Sequence, residues 1–500
     1  MQRVCVTVFN ELASLRVLQA AVRAFSEEMG APLAVTQQME LVTEEITANI
    51  IKYEYLPGQR EQIEVELSCQ EQQLSMEFRF KGIPFDTAHL EHCGEVCPKI
   101  SMNDEVRGVG LYLVRQCVDK LEYRNLGKHG QQIRIQRRFE SPGKSPEAAA
   151  PQEDQAAAAA SPTEVVIRRM QPEESAAVSR LAYFAYRYSY VYDHIYDPNN
   201  VQALNREGGM ISYVSVDAAQ AEILGHCALI PERRSQLDEL GVAFVHPHYR
   251  GGGYLNQMTE VLLEESRRRG VEGVFAMAVA GHPFSQKAAA KHRLKESALL
   301  VSRVQPVFMS DIREQSSARE TLFLMARLFG DAQRGRYYAP EKHRAMLTRI
   351  CAHLEIFPEF VAPPQINSVE DEGELTWECD HYQAGHIHLV RYGSDSLAEV
   401  QRLLRNGCLD RLETIYLYLP LKQSATAVMT ETFEKMGFFF AGLQPAKAGN
   451  DVLILQYLNN QRYDYRPLKA GTPFGQQLID YVRRQDPNGR TGDTDDLQIY

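Results

Sequence analysis

The chain is predicted to be a multidomain α+β protein, and three observations carry that prediction. A seam rich in Ala, Pro, Ser and acids, ESPGKSPEAAAPQEDQAAAAASPTE over residues 140–164, has no apolar period and cannot bury a core, so it is a linker. Before it, two helical stretches stand among segments that alternate apolar and polar residues like antiparallel strands. After it, a succession of strands breaks into a helix, strand, helix, strand order, which describes a mixed sheet. A length of 500 residues leaves room for roughly three domains of about 150 residues each.

Composition narrows the classes of function. Hydrophobic content of 44% with 24% charged residues is globular, and a net charge of −11 argues against a general nucleic-acid binder or a ligand of anionic membranes. The opening MQRVCVTVFNELASL lacks a continuous apolar core of signal-peptide type, and no stretch approaches the roughly 20 apolar residues of a membrane helix. A cytoplasmic protein is expected. Nine cysteines form no framework, so reduced thiols are the default. His89, His92, Cys93 and Cys97 come nearest to a metal pattern, but no second ligand pair follows at a usual spacing.

Element by element, RVCVTVF is strand-like, ELASLRVLQAAVRAFSEEMG carries helical spacing with a glycine stop, and VTQQMELVTEEITANIIKYEY is a second helix. IEVELSC, LSMEFRF and IRIQRRF alternate as strands, giving helices on one face of a sheet. Beyond the linker come the strand EVVIRRM, the helix EESAAVSRLAYFAYRY and the strands GGMISYVSVD, AEILGHCALIP and LDELGVAFVHP. The helix NQMTEVLLEESRRRG, the strand VEGVFAMAV, the helix FSQKAAAKH and the strand ESALLVSRV follow. Residues 310–365 are expected to be mostly helical, and from 374 a smaller α+β unit begins. The resulting boundaries are 1–140, a linker at 141–163, 164–305, a helical connection at 306–373, 374–465, and a tail at 466–500 ending in RTGDTDDLQIY, which is expected to be disordered.

The stretch FVHPHYRGGGYLNQM, residues 244–258, runs a strand into three glycines at the start of a helix. Bare backbone there suits either a tight turn or a bound anion, since helix N-termini present free N–H groups and a positive dipole end. With the order of elements around it, residues 164–305 resemble the GNAT (GCN5-related) N-acetyltransferases, whose acyl-CoA loop reads V-x-P-x-x-R-G-x-G. The resemblance implies acetyl-CoA as cofactor and an amine-bearing acceptor, a small molecule or a protein. It implies that Val245, Arg250, Gly251, Gly252, Gly253 and Tyr254 cradle the pyrophosphate, with Leu255 opening the helix where the family has a smaller residue. Glu239 stands where the family often keeps a general base. The family's tyrosine acid aligns with Ala289, which leaves His246, His248, His282 and Ser285 as candidate donors.

In TEEITANIIKYEY, Glu45, Asn49 and Tyr53 are four residues apart and share one helical face. That is either a solvated face or a base beside an oxygen that can hold magnesium. Together with KGIPFDT and RGVGLYLVRQCVDKLEYRN, the segment 1–140 resembles the GHKL ATPases, in particular the anti-sigma-factor serine kinases, and so a GHKL-type α/β sandwich is expected. The resemblance implies ATP with Mg²⁺ on Asn49, Glu45 as base, and a pocket shaped by Gly82, Gly108 and Gly110. It implies as partner an anti-sigma antagonist or sigma-like protein. Phe80 replaces the aspartate that meets the adenine amino group, and Tyr53 replaces a common histidine.

Residues 374–465 resemble a second GNAT unit through MTETFEKMGFFFAGLQPAKAGNDVLILQYL but contain no Arg-Gly-x-Gly loop. This half either completes the acceptor site or packs against the first. Trp377 and Phe438 to Phe440 are expected to be core. The combined expectation is a bacterial-type fusion: an acetyl-CoA-dependent N-acyltransferase carrying a regulatory ATP-binding-like module. The rival is a signalling protein that works as a serine kinase or partner-binding module, with its GNAT part sensing acyl-CoA.

Overall fold

The computed structural model describes residues 2–56, 58–84, 114–139, 165–219, 222–306, 319–330, 333–364, 372–380 and 382–489. The linker, the His89 to Cys97 cluster, Gly108, Gly110 and the final eleven residues lie outside them. The strands are β1 (Gln2–Phe9), β2 (Gln62–Gln70), β3 (Gln73–Phe80), β4 (Lys120–Asn125), β5 (Gln131–Arg138), β6 (Val165–Arg169), β7 (Ile211–Asp217), β8 (Glu222–Pro231), β9 (Asp238–Val245) and β10 (Gly273–Val279). They continue with β11 (Lys295–Val304), β12 (Glu320–Leu328), β13 (Gln333–Tyr337), β14 (Phe357–Phe360), β15 (Glu374–Cys379), β16 (Ala384–Arg391), β17 (Thr414–Pro420), β18 (Phe439–Gln444) and β19 (Val452–Leu458). The α-helices are α1 (Ala13–Glu28), α2 (Leu33–Tyr53), α3 (Ser175–Tyr186), α4 (Pro198–Glu207), α5 (Tyr254–Arg268), α6 (Phe284–Lys291), α7 (Glu341–His353), α8 (Ser396–Leu409), α9 (Ala425–Lys435) and α10 (Pro473–Gln485).

The chain divides into two compact units. The first holds residues 1–164, 171–188 and 192–203; the second holds 165–170, 189–191 and 204–500. The sequence-based boundary placed all of 164–203 with the acyltransferase-like segment. The first unit is built on an antiparallel sheet ordered β1-β2-β3-β5-β4. Alternation decides its faces: Val65, Leu67, Met76, Phe78, Ile133 and Ile135 turn inward against Leu18, Val22, Met39, Val42, Ile46 and Ile50 of α1 and α2. The opposite face carries Glu64, Glu77, Arg79 and Arg134, joined in ion pairs. Residues 171–203 add aromatic packing. Tyr183 and Tyr196 are fully buried, Tyr183 exchanges hydrogen bonds with the Gln59 side chain at 2.9–3.0 Å, and Asn125 Nδ2 donates to the Tyr196 carbonyl at 2.8 Å.

The second unit is one mixed sheet of twelve strands in the order β15-β16-β17-β19-β18-β11-β12-β10-β9-β8-β7-β6. Its right half, β6 to β12, and its left half, β15 to β19, repeat a theme. Each has a parallel pair joined by a helix, β9-α5-β10 in one and β16-α8-β17 in the other, and then a helix leading into an antiparallel pair. The halves meet at β11 and β18, where Ala298 pairs with Gly442. Phe438, Phe439 and Phe440 are at most 1% exposed and Trp377 packs against the core, as expected of them.

Two sequence expectations are corrected here. The helical connection at 306–373 contains β12 in the middle of the sheet, the β13–β14 pair, and α7 as its helix among the described residues. ETLFLMARL is built of good helix formers, but β12 makes antiparallel ladders with β10 on one side and β11 on the other, and pairing overrides propensity. The tail at 466–500 contains α10, capped by Thr472 Oγ1 accepting from Gly475 N at 2.9 Å and buried through Leu478, Ile479 and Val482.

Candidate functional site

Strands β9 and β10 run parallel but pair only at Asp238–Val274 and Glu239–Phe275. Beyond Glu239 they separate, while β10 keeps its full ladder with β12 on its other edge. The edge of β9 facing β10 is therefore unpaired by any strand from Leu240 to Val245, and an extended ligand can add there as a strand would. Within this stretch β9 bulges: His226 pairs with Phe244 and Ala228 with Gly241, so β9 has one residue more than β8, and buried Val242 takes φ +49°.

A side chain of β8 holds that bulge. His226 is fully buried, with Nδ1 2.7 Å from the Val242 carbonyl and Nε2 2.9 Å from Ser212 Oγ. The carbonyl can only accept, so Nδ1 carries the hydrogen and Nε2 accepts from the serine. Burial pushes the His226 pKa down to about 4, which keeps the ring neutral. In front of the bulge, Tyr190 Oη accepts from Ala243 N–H at 3.2 Å and its ring meets Phe244 edge-on at 5.7 Å. Sequence reasoning missed Tyr190 because it lies outside every regular element, more than fifty residues before the strand it serves.

At the end of β9 the chain makes a 3₁₀ turn, Pro247–Tyr249, and enters α5 through the glycines. Gly251 and Gly253 have φ +87° and +78°, and a Cβ on Gly252 would lie 2.5 Å from the Tyr254 ring, so each needs glycine for a stated reason. Among the described residues no group engages the N–H groups of Gly253, Tyr254, Leu255 and Asn256. Leu255 packs against the hydrophobic core and does not fill the turn. The result is an open set of donors at a helix N-terminus, suited to a diphosphate.

The other predicted residues lie on or next to the elements that flank this gap. Val245 ends β9, and Arg250 follows the 3₁₀ turn. Glu239 sits at the far end of β9, six residues before Val245, which is about 20 Å along a strand. His246 Nδ1 accepts from His248 N at 3.3 Å, and its pKa is lowered by burial first and by His248 second. Ser285 Oγ accepts from Val279 N at 3.1 Å, which fixes the hydroxyl at the end of β10. His282 lies in the loop just before α6, its ring 5.4 Å from Phe284.

Among the described residues the left half has no such gap. β16 and β17 stay paired from Ala384–Thr414 to His388–Tyr418. The turn before α8 is occupied: Asp395 Oδ1 accepts from Gly373 N at 2.7 Å, and a Cβ on Gly393 would meet Gly373 N at 2.0 Å. A carboxylate at that helix start repels phosphate.

In the first unit, Glu45 and Asn49 lie half-buried one turn apart on α2. Burial, then Glu44, raises the Glu45 pKa. Asn49 has no partner among the described residues, so its amide oxygen is a hard donor of the kind Mg²⁺ takes, with the Glu45 carboxylate one turn away. Gly82 is tightly enclosed: a Cβ would lie 2.6 Å from the Glu54 carbonyl, and its own carbonyl accepts from Tyr188 Oη. Phe80 is buried beside Tyr55, with centroids 6.5 Å apart. The place where an adenine acceptor was expected is thus occupied by aromatic side chains and reached by Tyr188. No group of three or more His, Cys, Asp or Glu is placed to hold a metal among the described residues, and no described helix is long and apolar enough to cross a membrane.

Residues 8–137 match the family model of the histidine kinase-like ATPase domain. No curated protein matches the chain. Among the solved structures similar to it are acetyltransferases. The ribosomal-protein-S5-alanine acetyltransferase from Vibrio fischeri is 12% identical, with a TM-score of 0.28, over 33% of this chain and 94% of that one. The ribosomal-protein-alanine N-acetyltransferase from Brucella melitensis is 18% identical, with a TM-score of 0.27, over 33% and 99%. A putative acetyltransferase from Salmonella typhimurium, solved with its cofactor acetyl-CoA, is 17% identical, with a TM-score of 0.28, over 34% and 96%.

Proposed function

We propose that the second unit is an acetyl-CoA-dependent N-acyltransferase and that the first unit regulates it. One observation carries the reading: the unpaired amides of Gly253 to Asn256 stand at the mouth of the gap between β9 and β10. An anion grip and a free strand edge in sequence are what a ligand with a diphosphate and a long amide-bearing arm needs. Bound acetyl-CoA supplies the activated acyl group as a thioester.

The chain's own residues then divide the work. Gly251 to Leu255 hold the diphosphate, with Val245 and Arg250 at its edge. The Ala243 N–H at the bulge is the donor that an acyl oxygen takes over from Tyr190, which leaves the phenol beside the reacting centre as proton donor. Glu239, at the inner end of the gap and well away from the diphosphate grip, removes the proton from the acceptor ammonium through water. Ser285 and His246 line the outer end. The second reading, a regulatory module for residues 1–140, is favoured on the nucleotide side by Asn49, whose amide has no partner among the described residues, and on the partner-binding side by the Tyr188 contact at Gly82, which occupies the place of an adenine.

Titration calorimetry of the full chain with acetyl-CoA tests the main reading. Saturable binding is expected, together with CoA release when amines are added. Gly253→Glu places a carboxylate in the grip and should weaken acetyl-CoA at least tenfold; a wild type that binds no acetyl-CoA sinks the reading.

A further inference from the structure

At the other end of α5 from the glycine turn, about 20 Å away along a 15-residue helix, lies a cavity of about 540 Å³. It is bounded by the ends of α5, α6 and α7, the start of β10 and the end of β12. Arg267, Arg293, Lys295 and Arg327 line it. Two acids share the lining, but both are engaged: Glu355 pairs with Lys295 at 2.8 Å, and Glu272 accepts from Ala448 N at 2.8 Å.

Cations gather at helix C-termini for a simple reason, to offset exposed carbonyls. That reason does not account for these. The carbonyls at the three helix ends are already taken by backbone N–H groups: Gly270 on Arg267, Val271 on Ser266, Leu294 on Ala289 and Ile356 on Cys351. Of the three guanidiniums, Arg327 alone reaches a carbonyl, that of His292, at 2.9 Å. Arg267 has an exposed partner, Glu264, at 3.5 Å, and Arg293 makes no side-chain hydrogen bond or ion pair among the described residues, the acid its charge reaches being Glu355, which Lys295 already holds. Arg267 and Arg327 both lie over the Phe329 ring, 4.6 and 5.7 Å from its centroid, which holds the two like charges on one side chain. Burial, then Arg267 and Arg293, lowers the Arg327 pKa, the mark of cations crowded without a counter-ion.

We propose that this cavity binds a polyphosphate anion, gripped by Arg267, Arg293 and Arg327. Guanidiniums suit phosphate oxygens because each presents a planar fork of donors. Several of them around one cavity fit a chain of phosphates better than a single one. The site is separate from the glycine turn and independent of the acyltransferase reading.

The probe is inorganic tripolyphosphate, titrated calorimetrically into the full chain, with ATP in a parallel arm to tell a bare phosphate chain from a nucleotide. Arg293 has φ +63°, a conformation glycine adopts freely, so Arg293→Gly removes the charge without backbone cost. Saturable, salt-sensitive binding is expected in the wild type, at least tenfold weaker in the double variant Arg293→Gly, Arg267→Gln and retained in Gly253→Glu. Circular dichroism confirms that the double variant is folded. Absence of binding, full affinity in the double variant, or loss of binding in Gly253→Glu overturns the proposal.

Discussion

Single residues decide whether the gap between β9 and β10 is a site or a defect. The φ of Val242 at +49° is rare for a β-branched residue, and it is held because His226 hydrogen-bonds its carbonyl from β8. The neutral ring that does this has its pKa pushed down to about 4 by burial, against about 6.5 for the unfolded chain. Between pH 6.5 and 4 the unfolded chain gains a proton that the folded one refuses, so stability is lost as pH falls through that window and is flat above it. The loss is about 3 kcal/mol at most, at about 1.4 kcal/mol per pH unit. Urea midpoints measured from pH 7 to 4 should fall less steeply in His226→Gln than in the wild type; parallel curves would show that this ring stays outside the titration. Tyr190 makes a chemical prediction where His226 makes a structural one. Tyr190→Phe removes the O–H but keeps the ring against Phe244, so kcat should drop about 100-fold while acetyl-CoA affinity is unchanged. An unaltered kcat would leave the phenol a mere lid on the Ala243 amide.

Elements were legible in the sequence where a local pattern set them and illegible where a distant partner did. The alternation of IEVELSC and LSMEFRF gave β2 and β3, and the glycines after Arg250 gave the start of α5, because pleat and left-handed φ are written in consecutive residues. β12 was not legible, since its own residues favour a helix and its pairing with β10, about forty residues earlier, is not written locally. The same holds at the seam of the two half-sheets. Gly442, at φ +149°, is a position where a Cβ would meet the Ser297 carbonyl at 2.3 Å and Ala298 Cα at 2.4 Å. Nothing in FFFAGLQ announces that contact; only β11, about 140 residues earlier, explains the glycine. Gly442→Val should therefore force β18 from β11 and lower stability by about 2–4 kcal/mol, seen as an earlier unfolding transition. Stability within about 0.5 kcal/mol of the wild type would mean that the seam yields cheaply.

For the molecule as a whole, each unit departs in selected parts from the pattern around it. In the second unit the left half repeats the parallel pair and connecting helix of the right half, but its strands stay closed and Asp395 stands at the helix start, so the pair contributes structure and one open groove. In the first unit the alteration is subtler. Glu45 and Asn49 lie one turn apart on α2, while Phe80 and the phenol of Tyr188 stand where the sequence predicts the adenine end. An adenine entering there has to displace a side chain already bonded to Gly82 and packed against Tyr183 and Tyr196 at 5.2 and 5.0 Å. Any ligand that must first break a native contact loses affinity by the stability of that contact, about 1–2 kcal/mol for a buried hydroxyl bond with its packing, or roughly 10-fold. The wild type should therefore bind Mg-ATP weakly, Tyr188→Ala should bind it about tenfold more tightly, and adding Asn49→Ala should abolish the gain. If Tyr188→Ala leaves the affinity where it was, the tyrosine is not in the nucleotide's way.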